Sequence, residues 1–175
     1  MSKINSLEEL LVDELKDIYS AETQLVKALP KMAMASSNQN LRQGIEMHLE
    51  QTKGQVERLE RVFEILDESP KGKTCAAMRG LVEEGEESVD LKGPEPVHDA
   101  SLIGAAQRVE HYEIAAYGTA RAFAETLGKR EIARLLEETL KEEMETDRKL
   151  TQISQTINRQ AESAAGGEGG KSGSA

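Results

Sequence analysis

The sequence has little of several residue types. It has no tryptophan and only 3% aromatic residues, and its single cysteine, Cys75, excludes disulfide bonds within the chain. No apolar run approaches the roughly 20 residues of a membrane-spanning helix. The N-terminus reads as the start of an amphipathic helix and not as a signal peptide. These absences predict a cytoplasmic protein with no membrane partner.

Basic residues are also scarce relative to acidic ones. The chain has 22 Lys and Arg against 32 Asp and Glu, which gives a formal net charge of −10. Binding to a nucleic-acid backbone needs clustered basic side chains, so we expect no nucleic-acid partner. An acidic protein attracts cations instead. The 175 residues suit one domain, which we place at 1–160, followed by a flexible Gly/Ser-rich tail at 161–175.

Apolar residues recur at intervals of three and four, which predicts helices. Ser6 and Glu9 form a capping-box pattern at the start of the first helix. The other three long helices are predicted at about 41–66, 99–128 and 129–159. Asp99 is the predicted N-cap residue of the third long helix, after a linker, LKGPEPVH, with two prolines. The crossover from 67 to 98 carries a short helix at 75–89, which we expect to pack across one end. Such a crossover between two helical hairpins is typical of ferritin-like proteins. The predicted fold is therefore all-α: a ferritin-like antiparallel four-helix bundle with a long crossover carrying a short extra helix.

Two carboxylates stand out in the third long helix, in the stretch RVEHYEIAAYG. Glu110 and Glu113 share one helix face with Ala106, Tyr117 and Ala120. That face is expected to be buried, and a buried carboxylate is costly unless it is paired or bound to a cation. The sequence therefore predicts a partner for this pair, and a metal ion is the simplest candidate.

The first and fourth long helices each carry a carboxylate within an apolar stripe. Glu22 interrupts one stripe, and Glu143 occupies a core position in the other, with Asp147 at the edge of the same face. The alternative for Glu22 is that its side chain leans out to solvent. Tyr19 and Tyr117 are candidate hydrogen-bond donors to the cluster.

The second helix offers two candidates. At 100° per residue, His48 and Gln55 lie beside the apolar stripe and Glu50 lies almost opposite it. Helical phase therefore favours His48 as the inward group. The alternative is a core histidine whose ring is satisfied by a backbone carbonyl or a side chain, so that His48, Glu50 or neither completes the site.

Together these faces predict one cluster at a single level of the bundle, and carboxylates with an occasional imidazole suit iron, manganese or zinc. Bridging carboxylates favour a two-metal centre, for which iron or manganese is our candidate. The common Glu-x-x-His pairs are missing from the second and fourth helices. The predicted ligands are Glu22, His48, Glu110, Glu113, Glu143 and Asp147.

Four motifs, RVEHYEIAAYG, DIYSAETQL, HLEQTKGQVERLERVF and LLEETLKEEMETDRKL, resemble the YciE/YciF family of ferritin-like proteins in the same order. The resemblance implies a homodimer in a bacterial cytoplasm, a link to general stress response and a di-metal site related to that of rubrerythrin. It carries over most strongly to Glu22, Glu110, Glu113 and Glu143, and next to Asp147. Some relatives resemble this chain but have a histidine where it has Lys53, which suggests a missing ligand.

Three functions are compatible with this pattern. The first is a di-metal carboxylate protein that acts on oxygen or peroxide, or handles iron, under stress. The second is a non-catalytic bundle that works through a partner or as a homo-oligomer, without a functional metal site. The third is a manganese-catalase-like activity. Whether the protein is an enzyme stays open at this point.

Overall fold

The computed structural model describes residues 4–166, and within that range the regular secondary structure is entirely helical. The four long helices and the short crossover helix confirm the predicted all-α architecture. Helix α5 continues past its predicted end near 159, so residues 161–166 of the predicted tail are helical, and the rest of that tail lies outside the described residues. The helices are α1 (Leu7–Ala35), α2 (Gln39–Leu66), α3 (Ala76–Asp90), α4 (Glu95–Thr126) and α5 (Arg130–Gly166).

The helix starts follow local capping chemistry, with one correction. The hydroxyl of Ser6 accepts a hydrogen bond from the backbone N–H of Glu9 at 3.1 Å, which confirms the predicted start of α1. The prediction that Asp99 caps the third long helix is wrong, because α4 already begins at Glu95, after Pro94. Asp99 is buried within α4, and its carboxylate accepts hydrogen bonds from the backbone N–H groups of Ser37 at 2.9 Å and Asn38 at 2.8 Å.

The four long helices form a square. Helix α1 packs on α2 and α4, and α5 packs on α2 and α4, so each helix has two neighbours in the bundle. Helix α3 packs along α1 and α4 and not across one end, which corrects the expectation from sequence. Contacts at both ends of α3 establish this direction: Cys75 is hydrogen-bonded to Ser20, and Lys31 pairs with Glu86 at 3.2 Å. None of the described helices combines the length and apolar character needed to cross a bilayer.

The bundle core has two apolar clusters with a polar layer between them. In α1, Ile18 belongs to one cluster and Leu25 to the other, with Glu22 buried between them. The same order occurs in α5, where Glu143 lies between Leu136 and Leu150. The polar layer therefore lies midway along the bundle, where apolar packing above and below it excludes water.

Candidate metal centre

Four side chains of the polar layer meet at one place. His48 comes from α2, Glu110 and Glu113 from α4, and Glu143 from α5. One potential ligand atom from each of them lies within 4.8 Å of the others. Each of the four residues is at most 3% exposed. The spacing i, i+3 on α4 directs both of its carboxylates inward, and we call these four residues the His–Glu cluster.

The cluster contains polar atoms that protein groups leave without a hydrogen bond. Among the described residues, both carboxylate oxygens of Glu113, one oxygen each of Glu110 and Glu143, and both ring nitrogens of His48 lack a partner. The Nε2 atom of His48 lies 3.2 Å from Oε1 of Glu110, but the contact is not a hydrogen bond. Buried polar groups are normally satisfied. Buried ligand atoms that converge on one place without protein partners form an arrangement that a bound cation would satisfy.

Glu22 is buried next to this cluster. Its carboxyl accepts a short hydrogen bond from the hydroxyl of Tyr117 and interacts with that of Glu113. The inward expectation for Glu22 is thus confirmed, whereas the alternative of a solvent-facing side chain is wrong. Tyr19, by contrast, donates to Glu60 at 2.9 Å and not to Glu22. Of the two tyrosines proposed as donors, Tyr117 is the one that contacts a carboxylate of the polar layer.

A hydrogen-bond network between α2 and α5 holds the cluster from one side. The amide of Gln55 donates to Glu143 in a short hydrogen bond and to Glu142 at 3.0 Å. The guanidinium of Arg58 donates hydrogen bonds to the carboxylate of Glu142 at 2.9 and 3.0 Å, and to the hydroxyl of Thr139 at 2.6 Å. The sequence placed Gln55 beside the apolar stripe, but periodicity alone could not identify its partner. For Arg58, the sequence pattern predicts no role, apart from its spacing of three residues from Gln55.

Two other sequence candidates lie outside the cluster. Asp147 is partly exposed, accepts a hydrogen bond from Gln107 at 3.0 Å and lies 3.4 Å from Nε2 of His111. Glu50 is exposed and pairs with Lys53 at 2.6 Å, whereas His48 is buried. The prediction from helical phase that His48 is the inward group is therefore confirmed. Because position 53 faces solvent, a histidine there would not complete the buried cluster, and Lys53 does not weaken it.

Burial changes the protonation of the polar layer. It raises the pKa of Glu22 to about 8 and that of Glu143 to about 7, with further contributions from neighbouring carboxylates. Burial, with the other carboxylates, also raises the pKa values of Glu110 and Glu113 well above their usual range. It lowers the pKa of His48 to about 4, so the ring is neutral at physiological pH. A neutral imidazole is the form that binds a metal.

The residues therefore fit a divalent metal ion. Carboxylate oxygens with one neutral imidazole nitrogen form a donor set suited to iron, manganese or zinc. The positive charge of an ion would compensate the carboxylates, and its bonds would satisfy the orphaned oxygens and nitrogens. The donor set and the burial agree with the sequence prediction, while the ligand roles themselves remain a prediction.

The fold and the cluster define a class: ferritin-like helical bundles with a carboxylate-rich centre. The chain belongs to the family described as a domain of unknown function, DUF892, which matches residues 6–162. It is 47% identical over 164 residues to protein YciF of Escherichia coli (strain K12), covering 93% of this chain and 99% of that protein. The resemblance seen in the sequence motifs is thereby confirmed.

Two solved structures are similar throughout. The crystal structure of the E. coli stress protein YciF shares 46% identity and a TM-score of 0.87, covering 89% of this chain and 99% of that one. A protein from Rhodopseudomonas palustris, described as a putative structural protein, shares 46% identity and a TM-score of 0.82, covering 85% of this chain and 95% of that one. These similarities confirm the helical-bundle fold.

Proposed function

We propose that this protein binds iron or manganese at the His–Glu cluster, as a two-metal centre, and acts on oxygen or peroxide or handles iron during stress. The main support for this proposal is that four buried ligand groups converge, with one potential ligand atom from each lying within 4.8 Å of the others. The stress-protein description of the similar E. coli protein supports the physiological setting.

The surrounding residues would control geometry and protons at this centre. When bound, the metal ions supply Lewis acidity and, for iron or manganese, redox chemistry. Gln55 fixes one oxygen of Glu143 and leaves the other free to bind. Tyr117 does the same for Glu22, whose second oxygen also lacks a hydrogen bond. The two apolar clusters exclude bulk water from the layer that these residues form.

Metal analysis tests the proposal directly. Protein purified with iron or manganese present is expected to hold at least about one metal ion per chain, with anomalous scattering at the four-helix centre. Glu143→Ala and Glu113→Ala should lose this metal. Glu145→Gln is the matched control, because Glu145 lies on the same helix as Glu143 but has a side chain that is 42% exposed and is paired with Arg148. Less metal than this, or content unchanged in both alanine variants, would refute the proposal.

Activity assays separate the possible reactions. Rapid release of oxygen from peroxide would indicate a manganese-catalase-like activity, whereas ferrous iron in air should give a colour change if the centre reacts with oxygen. A homodimer in the cytoplasm is the proposed state. A particle mass near that of a dimer would exclude bulk iron storage, which needs a closed shell of many subunits.

A non-catalytic bundle is the second candidate. The raised pKa values of Glu22 and Glu143 favour it, because protonated carboxyls can remain buried without a metal. In this case the protein would act through a partner or as a homo-oligomer, and the polar layer would keep its protons. The two candidates differ in metal content and in the response to ferrous iron.

A further inference from the structure

A pocket of about 270 Å³ lies between α1, α3 and α4. Its walls are mainly apolar. They include Leu29 and Met32 from α1, Val82 and Val89 from α3, and Ala105 and Val109 from α4. The crossover helix α3 thus forms one wall of a cavity whose other two walls belong to the four-helix bundle.

The pocket runs from the surface toward the candidate metal centre. Its lining includes Lys31 and Glu86, whose side chains are 50% and 54% exposed. It also includes Glu110, which is 1% exposed and belongs to the His–Glu cluster. One oxygen of Glu110 has no hydrogen bond among the described residues. The same residue therefore lines the pocket and belongs to the candidate centre.

The charged groups at the mouth favour an anion. Lys31 and Glu86 form an ion pair at 3.2 Å and offset each other. Lys27 also lines the pocket, is exposed, and makes no hydrogen bond or ion pair within residues 4–166. The mouth thus has one positive charge that no described group offsets, while the inner part of the pocket is lined by apolar side chains up to Glu110. An elongated ligand would place its anionic group outward and its apolar part inward.

We infer that this pocket binds a single-chain anionic amphiphile of medium length, with its charged group at Lys27 and its apolar chain directed toward Glu110. A volume of about 270 Å³ corresponds to roughly nine water molecules in the liquid, which is enough for a single chain of medium length. The apolar walls supply the affinity and the lysine supplies the orientation. The claim that this amphiphile is the substrate of the metal centre rests on the proposed function. The claim that the pocket binds it does not.

The occupant is assigned by shape and charge. A folded partner or a second copy of this chain would cover the mouth but would not fill a cavity that reaches a buried residue. A neutral apolar molecule would gain no attraction from Lys27, and a cationic molecule would be repelled by its positive charge. Binding of octanoate, octanol and octylamine distinguishes these alternatives.

The experiment measures binding to the full chain by calorimetry, first with a chelator and then with manganese. Octanoate should bind, octanol more weakly, and octylamine most weakly. Gly85→Leu introduces a side chain at the pocket lining, where a Cβ atom would already lie 3.5 Å from Met32, and should weaken octanoate binding at least about tenfold. Gly80→Leu is the control on the same helix, because a Cβ atom there meets nothing within 4 Å.

Charge provides the second arm. Lys27→Gln should reduce the preference for octanoate over octanol without changing octanol binding, and the exposed Lys53→Gln should change neither. Equal octanoate affinity in Gly85→Leu and Gly80→Leu, or no octanoate binding to the wild-type chain, would overturn the inference. Because the chelator arm needs no metal, failure of the metal centre and failure of the pocket give different results.

Discussion

Replacing Glu113 with glutamine should stabilise the metal-free protein and remove its response to metal. Glu113 is 2% exposed, and as a carboxylate neither of its oxygens receives a hydrogen bond among the described residues; only with a proton could it bond to the carboxyl of Glu22. Its pKa is raised well above the usual 4.5, first by burial and then by Glu22, Glu143 and Glu110. Folding at neutral pH therefore requires this group to take up a proton or to bury an uncompensated charge. Glutamine has nearly the same shape and needs neither.

The expected magnitude follows from linkage. In the unfolded chain the carboxyl is ionised at pH 7.5, about three pH units above its usual pKa, and each unit corresponds to about 1.4 kcal/mol. If the folded state holds the proton, the free energy of unfolding is thus lower by up to about 4 kcal/mol than it would be with a neutral residue at this position. A partly relaxed site loses nearer the 1–3 kcal/mol of an unsatisfied buried polar group. At about 2–4 °C per kcal/mol for a domain of this size, Glu113→Gln should raise the Tm by several degrees.

Thermal unfolding followed by circular dichroism checks this prediction, with chelator and with manganese. The stability of the metal-free wild-type protein should fall as pH rises toward 8, because its folded state binds protons more tightly, and Glu113→Gln should show a shallower fall. Manganese should raise the Tm of the wild type but not of the variant. Glu50→Gln, on an exposed carboxylate, serves as the control. A lower Tm for metal-free Glu113→Gln, or a metal response equal to that of the wild type, would contradict the reasoning.

Two further predictions concern proton release and the loop between α1 and α2. The rise in Tm caused by manganese should grow between about pH 5.5 and pH 7.5. The reason is that metal displaces protons from Glu22 and Glu143, whose pKa values lie near 8 and 7. A manganese-induced rise in Tm that shrinks over this range would refute the prediction. Asp99→Ala should lower the free energy of unfolding in urea by about 2–4 kcal/mol, because two backbone N–H groups lose a charged acceptor. Metal content should not change, and the exposed Asp90→Ala is the control; equal effects of the two substitutions would contradict this role for Asp99.

The sequence predicted the fold because helical periodicity is local. Interruptions of the apolar stripes also identified the inward carboxylates, since Glu22 and Glu143 occupy positions that packing would otherwise give to leucine. The partners of these groups depend on the relative positions of neighbouring helices, which no single stripe specifies. Tyr19 and Tyr117 both have suitable spacing, yet Tyr117 donates its hydrogen bond to Glu22 and Tyr19 donates its hydrogen bond to Glu60.

The start of α4 shows another limit. The two prolines of LKGPEPVH predict a linker by composition, although proline is also well suited to the first turn of a helix. A linker there makes Asp99 the predicted capping residue of this helix, but its buried carboxylate instead binds the backbone N–H groups of Ser37 and Asn38. A single sequence could not show this contact, because about 60 residues separate the partners.

The charges of the polar layer connect the number of metal ions to the number of protons. Helices α1, α4 and α5 contribute four buried carboxylates, whereas α2 contributes the neutral groups of His48, Thr52 and Gln55. Two divalent ions would balance the four negative charges, so that no proton need remain. One ion would leave two charges uncompensated, and buried carboxylates relieve such a charge by keeping protons. Proton release measured during metal titration therefore distinguishes a one-metal from a two-metal centre, because the second ion can enter only by displacing the protons that the first leaves in place.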